Sequence, residues 1–333
     1  MRERVAIVGA GVSGLTCGVL LAERGYRAAI FAEEVGQHTT SAVAAAIWYP
    51  YDAEPVDAVI AWALATYIVL VELSGDSQTG VSMIEQRALS RTGEIQIPVW
   101  ATKLGGRRLQ SNVATGLRPI PHRALRGGGN DGIPAGFTSG FSLNVPLMDT
   151  TIYLDYLAKR FARAGGEIRV ARCDSLEDLS SDFALIVNCS GVGAKMLAHD
   201  VAVEPHRGQV AIVPKIDLPY AVVCDDPPLM YAIPRAHDCV FGGSNELSDN
   251  RNVDLADTAR IIAECSRTLN IAPPKPIAQR VGLRPFRKSG VRVEAETLRD
   301  GRVVIHNYGH GGSGFTLSWG CAETVFELAG GRA

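Results

Sequence analysis

Three glycine-rich turns carry the residues of this sequence best suited to hold an anion. The first, Gly9-Ala-Gly-Val-Ser-Gly14, follows the apolar run Val5-Ala-Ile-Val8 and leads into the helix-like stretch Leu15 to Arg24. Gly25 breaks that helix, and Arg27 to Ala32 reads as a second strand ending at Glu33. In such a strand-turn-helix unit the first glycine lets the chain turn and the second lets backbone approach a pyrophosphate. The third lets helix pack on strand, and the helix N-terminus faces the anion. Gly9, Gly11 and Gly14 stand at those places, and Glu33 supplies a carboxylate for a ribose diol. Glu33-Glu34, with no arginine following the strand, argues against a 2′-phosphate and leaves the choice of dinucleotide open.

The second turn, Cys189-Ser-Gly-Val-Gly193, ends a strand read over Ala184 to Asn188 and puts Ser190 at the same sheet edge. The third, Gly309-His-Gly-Gly-Ser-Gly314, lies between a strand over Arg302 to Asn307 and a helix over Leu317 to Leu328. Two anion-seeking turns, one near each end of the chain, call for one long ligand. FAD is such a ligand: its pyrophosphate suits the first turn and the electron-rich edge of its ring the last. His306 stands before the last turn and His310 within it, and both invite a general-base reading, but a histidine beside a glycine loop more often fixes that loop by hydrogen bonding. The seven histidines are scattered, so no metal site is expected.

The elements that must position these turns come from a chain of 333 residues, 47% hydrophobic and 20% charged, which is enough for one large or two intimate domains and rules out disorder. A formal charge of -2 offers no basic field for nucleic acid. The seven cysteines form no C-x-x-C pair and suit buried thiols in a reducing compartment, so a cytoplasmic protein is expected. Ala58 to Val71 is too short to cross a bilayer, which takes roughly 20 residues, and reads as part of a core helix over Pro55 to Leu73; no membrane association is expected. Ala42 to Ala46 is so small-sided that something must lie close against it. Residues 81 to 148, including the Gly127-Gly-Gly129 loop and Phe137 to Val145, read as strands of a second layer. Thr151 to Gly165 reads as a helix, Glu167 to Ala171 as a strand, Val210 to Gly243 as antiparallel sheet broken by prolines, and Asp254 to Leu269 as a polar helix.

At Gly282-Leu-Arg-Pro285 and His306-Asn-Tyr-Gly-His-Gly-Gly-Ser-Gly314 the sequence resembles the D-amino-acid oxidase family of flavoproteins. Ala44-Ala-Ala-Ile-Trp-Tyr-Pro-Tyr51, Val187-Asn-Cys-Ser-Gly-Val192 and Arg207-Gly-Gln209 match further segments in order, so the likeness spans nearly the whole chain. It implies an α/β fold: a Rossmann-like FAD-binding domain made of 1–50, 149–204 and 280–333. A second, mostly antiparallel β-sheet substrate domain would be made of 51–148 and 205–279. It also implies a pyrophosphate on Gly11, Val12 and Ser13, polar contacts from Thr39, Thr40 and Ser41, and Ala46 and Ile47 beside the flavin ring. Ser190 would lie beside the dinucleotide, and Gly311, Gly312, Ser313, Gly314 and Thr316 along the pyrimidine side of the ring. Arg284 would hold a substrate carboxylate, Tyr231 would stand beside it, and the Gly312 carbonyl would accept the amine.

The activity this implies is oxidation of a D-amino acid by hydride transfer from Cα to flavin N5. Dioxygen is reduced to hydrogen peroxide, and the imino acid hydrolyses to a 2-oxo acid and ammonia. No side chain is expected as acid or base. A related glycine or secondary-amine oxidase, a dedicated biosynthetic amine oxidase, and a flavin binder without turnover remain as alternatives; a homodimer is compatible with the sequence. The chain departs from the family pattern at several places. Cys224-Asp-Asp-Pro-Pro228 is short and carries no lid tyrosine, which implies an open entrance; Ser313 replaces a tyrosine, Ala46 a glycine, and Ala211 stands where a larger residue is allowed. The lost bulk implies a roomier substrate pocket. The C-terminus lacks the Ser-Lys-Leu peroxisomal address, as a bacterial cytoplasmic enzyme would.

Overall fold

The computed structural model of the chain describes residues 3–51, 53–110 and 132–330; the Gly127-Gly-Gly129 loop and residues 331–333 lie outside them. The chain opens with β1 (Arg4–Val8), α1 (Val12–Glu23), β2 (Arg27–Ala32), α2 (Thr40–Val43) and α3 (Val56–Leu73). It continues through β3 (Val81–Ser90), α4 (Val99–Lys103), β4 (Arg107–Arg108), β5 (Ser139–Met148), α5 (Thr150–Arg163), β6 (Glu167–Val170), β7 (Leu185–Asn188) and α6 (Ala194–Leu197). Then come β8 (Val203–Pro214), β9 (Tyr220–Cys224), β10 (Met230–Pro234), β11 (Asp238–Gly242), β12 (Glu246–Leu247) and α7 (Leu255–Leu269). The last elements are β13 (Ala278–Arg287), β14 (Arg292–Thr297), β15 (Val303–Tyr308) and α8 (Gly314–Leu328).

Among the described residues two sheets organise these elements. The first runs β14-β15-β7-β1-β2-β6, parallel throughout except at the β14–β15 edge. The second runs β12-β8-β11-β10-β9-β3-β5-β4, with β13 also paired to β8, and is antiparallel except between β3 and β9. The expected α/β class with a second, mostly antiparallel sheet is what forms. A parallel strand covered on both faces must be apolar at every position rather than at alternate ones. Val5 and Ile7 accordingly join the core under α1, while Ala6 and Val8 join the opposite cluster with Phe183 and Ile186.

Three expectations need correction. The domain boundary expected at 280 falls inside β13, whose residues from Ala278 to Arg287 pair without a break to β8 of the second sheet; the chain returns to the first sheet at Arg292. Helix α3 is a core helix on one face only. Val59, Ala63, Thr66 and Leu70 are buried, whereas Ile68 and Val71 are exposed. Ala211 faces away from the roof of the cavity described below and packs with Ile261, Ile262 and Cys265 of α7, so its small size opens no room for a substrate. The Asp254 carboxylate caps α7 by accepting from the amides of Ala256 (2.7 Å) and Asp257 (3.2 Å).

Helices α3 and α8 cross at a point where no side chain fits. A Cβ on Gly320 would lie 2.3 Å from the Trp62 carbonyl oxygen, and the Gly320 amide donates to Thr66 Oγ1 at 2.9 Å. We expect Gly320→Val to cost about 1–3 kcal/mol or more through overpacking, read as a lower denaturation midpoint in urea; an unchanged midpoint would mean the crossing relaxes freely.

Candidate functional site

In an open α/β sheet, ligands bind outside the carboxyl ends of the strands. The turns that follow β1, β7 and β15 meet at that edge because little but backbone separates them. Gly9 has φ +106°, and a Cβ there would lie 2.4 Å from the Cys189 carbonyl oxygen; a Cβ on Gly14 would lie 1.9 Å from that of Gly9. The N-terminus of α1 opens from this contact with no acidic residue in its first turn and no side chain at its cap. Its first amide groups have no partners within the helix, so an anion is favoured there. A cavity of about 490 Å³ starts at this point and reaches from Glu33 at one end to Gly312 and Arg284 at the other. That volume lies in the ordinary range for a cofactor site.

The structure brings most of the expected residues to its wall: Gly9, Gly11, Val12, Ser13, Glu33, Thr39, Thr40, Ser41, Ser190, Tyr231, Arg284, Gly311, Gly312 and Gly314. Gly11 is nearly open on its Cβ side, meeting only Ser41 Oγ at 3.0 Å. Ser41 also accepts from the Val12 amide at 3.0 Å, so the α2 segment is tied to the start of α1. The small run beyond it is covered as expected, in part by strand β13: a Cβ on Gly282 would lie 3.2 Å from Val43. The residues present fit a dinucleotide, with a helix N-terminus whose own cap residue is a glycine, a carboxylate at the end of β2 and a side-chain-free floor between them.

Five expected residues are not on the wall, Gly14 among them because it is pressed against the Gly9 backbone. Ala46 lends its carbonyl to the Met148 amide (2.9 Å), and Ile47 bridges Leu147, so both are stitched to β5. Ser313 is fully buried; its hydroxyl donates to the Tyr51 carbonyl and accepts from the Tyr51 amide (3.0 Å). Thr316 does the same for Tyr49, at 3.1 Å in each direction. These two hydroxyls therefore clamp the strip of chain at 49–51 onto the last turn. Sequence reasoning missed what the clamp achieves, which is to set the Tyr51 ring against Gly312, where a Cβ would lie 2.6 Å from it. The turn at Cys224–Pro228 is also off the wall, because Asp226 accepts from Ser90 Oγ (2.7 Å) and the Arg91 amide (2.6 Å).

Charge is divided unevenly along the cavity. At the Glu33 end, Arg172 lies 3.7 Å from Glu33 and 2.6 Å from Asp174, and Arg251 lies 2.6 Å from Glu34. Sequence reading missed both arginines, since they arrive from remote segments. At the other end Arg284 is half-buried, and its guanidinium sits on Gly208, where a Cβ would lie 2.4 Å from Nη1. Its hydrogen bonds run to neutral oxygens, the Ser244 carbonyl (2.8 Å) and Asn245 Oδ1 (3.5 Å), with the Tyr231 hydroxyl beside it. Burial raises the Tyr231 phenol above its ordinary pKa, against the pull of Arg284, so it stays protonated. Burial also lowers His310 to about 4, and its Nε2 meets Asn307 Oδ1 at 3.0 Å. It is a neutral loop anchor at physiological pH.

A family model described as FAD dependent oxidoreductase matches residues 4–328 of the chain. The D-amino-acid oxidase of Rubrobacter xylanophilus is 38% identical over 331 residues, covering 98% of this chain and 96% of that protein. The D-amino-acid oxidase of Streptomyces coelicolor is 37% identical, again over 98% and 96%. Among solved structures, glycine oxidase from Geobacillus kaustophilus superposes with a TM-score of 0.78 at 19% identity, over 99% of this chain and 96% of that one, which is a likeness of fold.

Gly11→Val would push a branched side chain into Ser41 and the mouth of the cavity. The expected result is a folded protein that purifies without flavin absorbance and takes up no added FAD. A variant loaded to the wild-type ratio would show that the turn does not hold the pyrophosphate.

Proposed function

The chain belongs to the FAD dependent oxidoreductase family, and from that premise we propose that it oxidises D-amino acids, using dioxygen and releasing hydrogen peroxide, a 2-oxo acid and ammonia. The observation that carries this reading is Arg284, a half-buried guanidinium on the cavity wall whose hydrogen bonds among the described residues run to neutral oxygens and to no carboxylate. A buried charge without a counterion is costly, so the site is built for a ligand that brings one. The D-amino-acid oxidases 37–38% identical over nearly the whole chain support an amino acid as that ligand.

FAD bound in this cavity supplies a two-electron acceptor, which dioxygen regenerates. The chain's own residues supply placement. A planar guanidinium grips a carboxylate through two parallel hydrogen bonds, which fixes position and rotation together, and a lysine would not do so. Arg284 is held for that task by the Ser244 carbonyl below and by the absence of a side chain at Gly208. The protonated Tyr231 hydroxyl is a further donor to the same carboxylate. The Gly312 carbonyl would accept from the substrate amine, and the Tyr51 ring beside it limits where the side chain can go.

With carboxylate and amine both pinned, the two enantiomers present opposite groups to the ring, and only one directs its Cα hydrogen inward. No general base is needed if the bound amine is neutral. The neutral, hydrogen-bonded His310 is consistent with that, and orientation then carries most of the rate enhancement. The seven cysteines are free thiols, which supports a reducing compartment and the proposed cytoplasmic location.

Purified enzyme screened against D- and L-amino acids with peroxide detection should respond to D-enantiomers; turnover confined to L-enantiomers, or none with any amino acid, would overturn the reading. Arg284→Ala should retain bound FAD yet lose on the order of 10² to 10³ in kcat/KM, the equivalent of about two charge-assisted hydrogen bonds. Full activity would discard the carboxylate assignment.

A further inference from the structure

A chain of hydrogen bonds leads from the protein surface to the cavity through His306, and its polarity can be read without ambiguity. The Ser190 amide can only donate, and it lies 3.2 Å from Asn188 Oδ1. That places the Asn188 carboxamide with its oxygen toward Ser190 and its Nδ2 toward His306 Nδ1, 3.3 Å away. Since Nδ2 also only donates, Nδ1 must carry a lone pair. The ring proton therefore sits on Nε2 and points at Glu296 Oε2, 3.1 Å away. At the inner end the Ser190 hydroxyl donates to Asn188 Oδ1 at 2.6 Å, so its lone pairs are what it offers to the cavity it lines. Asn188 is fully buried and His306 nearly so.

We propose that His306 is a positioning residue for the dinucleotide: through Asn188 it fixes the Ser190 hydroxyl as an acceptor toward bound FAD, and so sets the affinity of the apoprotein for FAD. The proposal rests on the flavin reading above and deepens it. Protonating Nδ1 removes the lone pair that holds Asn188. Two donors then face each other across the 3.3 Å contact. Turning the carboxamide over would only bring Nδ2 against the Ser190 amide, which also donates, so Asn188 is displaced either way and the Ser190 hydroxyl loses the acceptor that fixes its direction.

The charged and titratable groups facing His306 are Arg292, Glu294 and Glu296 on β14 and Tyr308 on its own strand, with Asp200 and Arg287 beyond Tyr308. Desolvation and Arg292 push the histidine below its usual pKa, against the pull of the two glutamates. The neutral form, and with it the acceptor state of Ser190, is therefore present at neutral pH and lost as pH falls through that lowered value.

The test is the dissociation constant of FAD from flavin-stripped protein, measured by flavin fluorescence from pH 5 to 8. In the wild type the constant should rise about three- to tenfold on the acid side, the effect of one hydrogen bond made or broken. Asn188→Ala and the smaller Ser190→Ala should bind about three- to tenfold more weakly at pH 8 and show no acid step. His306→Gln, whose amide oxygen can still accept from Asn188, should keep wild-type affinity at pH 8 and also lose the step. A step that persists in Ser190→Ala, or a flat wild-type profile with tight-binding variants, would overturn the relay while leaving the flavin reading intact. Wild-type protein that binds no FAD at any pH would overturn both.

Discussion

Backbone-to-backbone contact at Gly9, Gly14 and Cys189 is the constraint on which the site depends. With a carbonyl oxygen 1.9 Å from where a Cβ of Gly14 would be, α1 can start against β1 only if that Cβ is missing. The same closeness leaves α1 to start from a glycine with no side chain of its own at the cap. The Ser41 hydroxyl takes up the Val12 amide, and the segment that carries Ser41 must itself be fixed. Thr150 Oγ1 and Arg280 Nη1 both donate to the Ala42 carbonyl, at 3.1 and 3.3 Å. The dinucleotide turn is thus braced by a strand of the other sheet.

What could be read in the sequence follows from how local each cause is. The strand, turn and helix from Arg4 to Glu23 depend on a continuous apolar run and three glycines within a few residues, and the structure places them where those signals lie. Ser313 and Thr316 were legible as residues of the last turn but not in their direction. Their hydroxyls turn toward Tyr51 and Tyr49 because a strip of chain 262 to 267 residues earlier lies across α8. The face of Ala211 was equally hidden, because alternation along a strand gives two sets of positions and only the docking of α7 says which set it covers. Arg172 and Arg251 reach the Glu33 end from segments whose neighbourhood no local pattern reveals. The domain boundary failed for a related reason: Gly282 and Pro285 look locally like a break, but their pairing to Gly208 and Pro205 of β8 carries the strand on through it.

The uneven charge along the cavity separates its two tasks. At the Glu33 end each arginine has a carboxylate from the chain itself, so this end is nearly neutral before any ligand arrives. Exposed pairs of this kind contribute little to stability and are screened by salt. At the other end Arg284 rests on neutral oxygens, and burial holds two groups of the same cavity uncharged, Tyr231 with its proton and His310 without one. One end is suited to a ligand that stays; the other keeps a single positive charge for a ligand that comes and goes.

Strand β13 connects these two ends, and its register is what the arrangement can least afford to lose. Arg280, Gly282 and Arg284 alternate onto one face. There Arg280 holds the Ala42 carbonyl, Gly282 admits Val43, and Arg284 lies over Gly208. Gly282 pairs directly with Gly208 across the ladder, so the two residues without side chains form the gap in which the guanidinium and the small-sided run both fit. A slip of one residue would turn all three to the opposite face, where α7 covers the sheet. The brace on the turn after β1 and the seat of the Arg284 guanidinium would then fail together, because one strand's alternation supplies both.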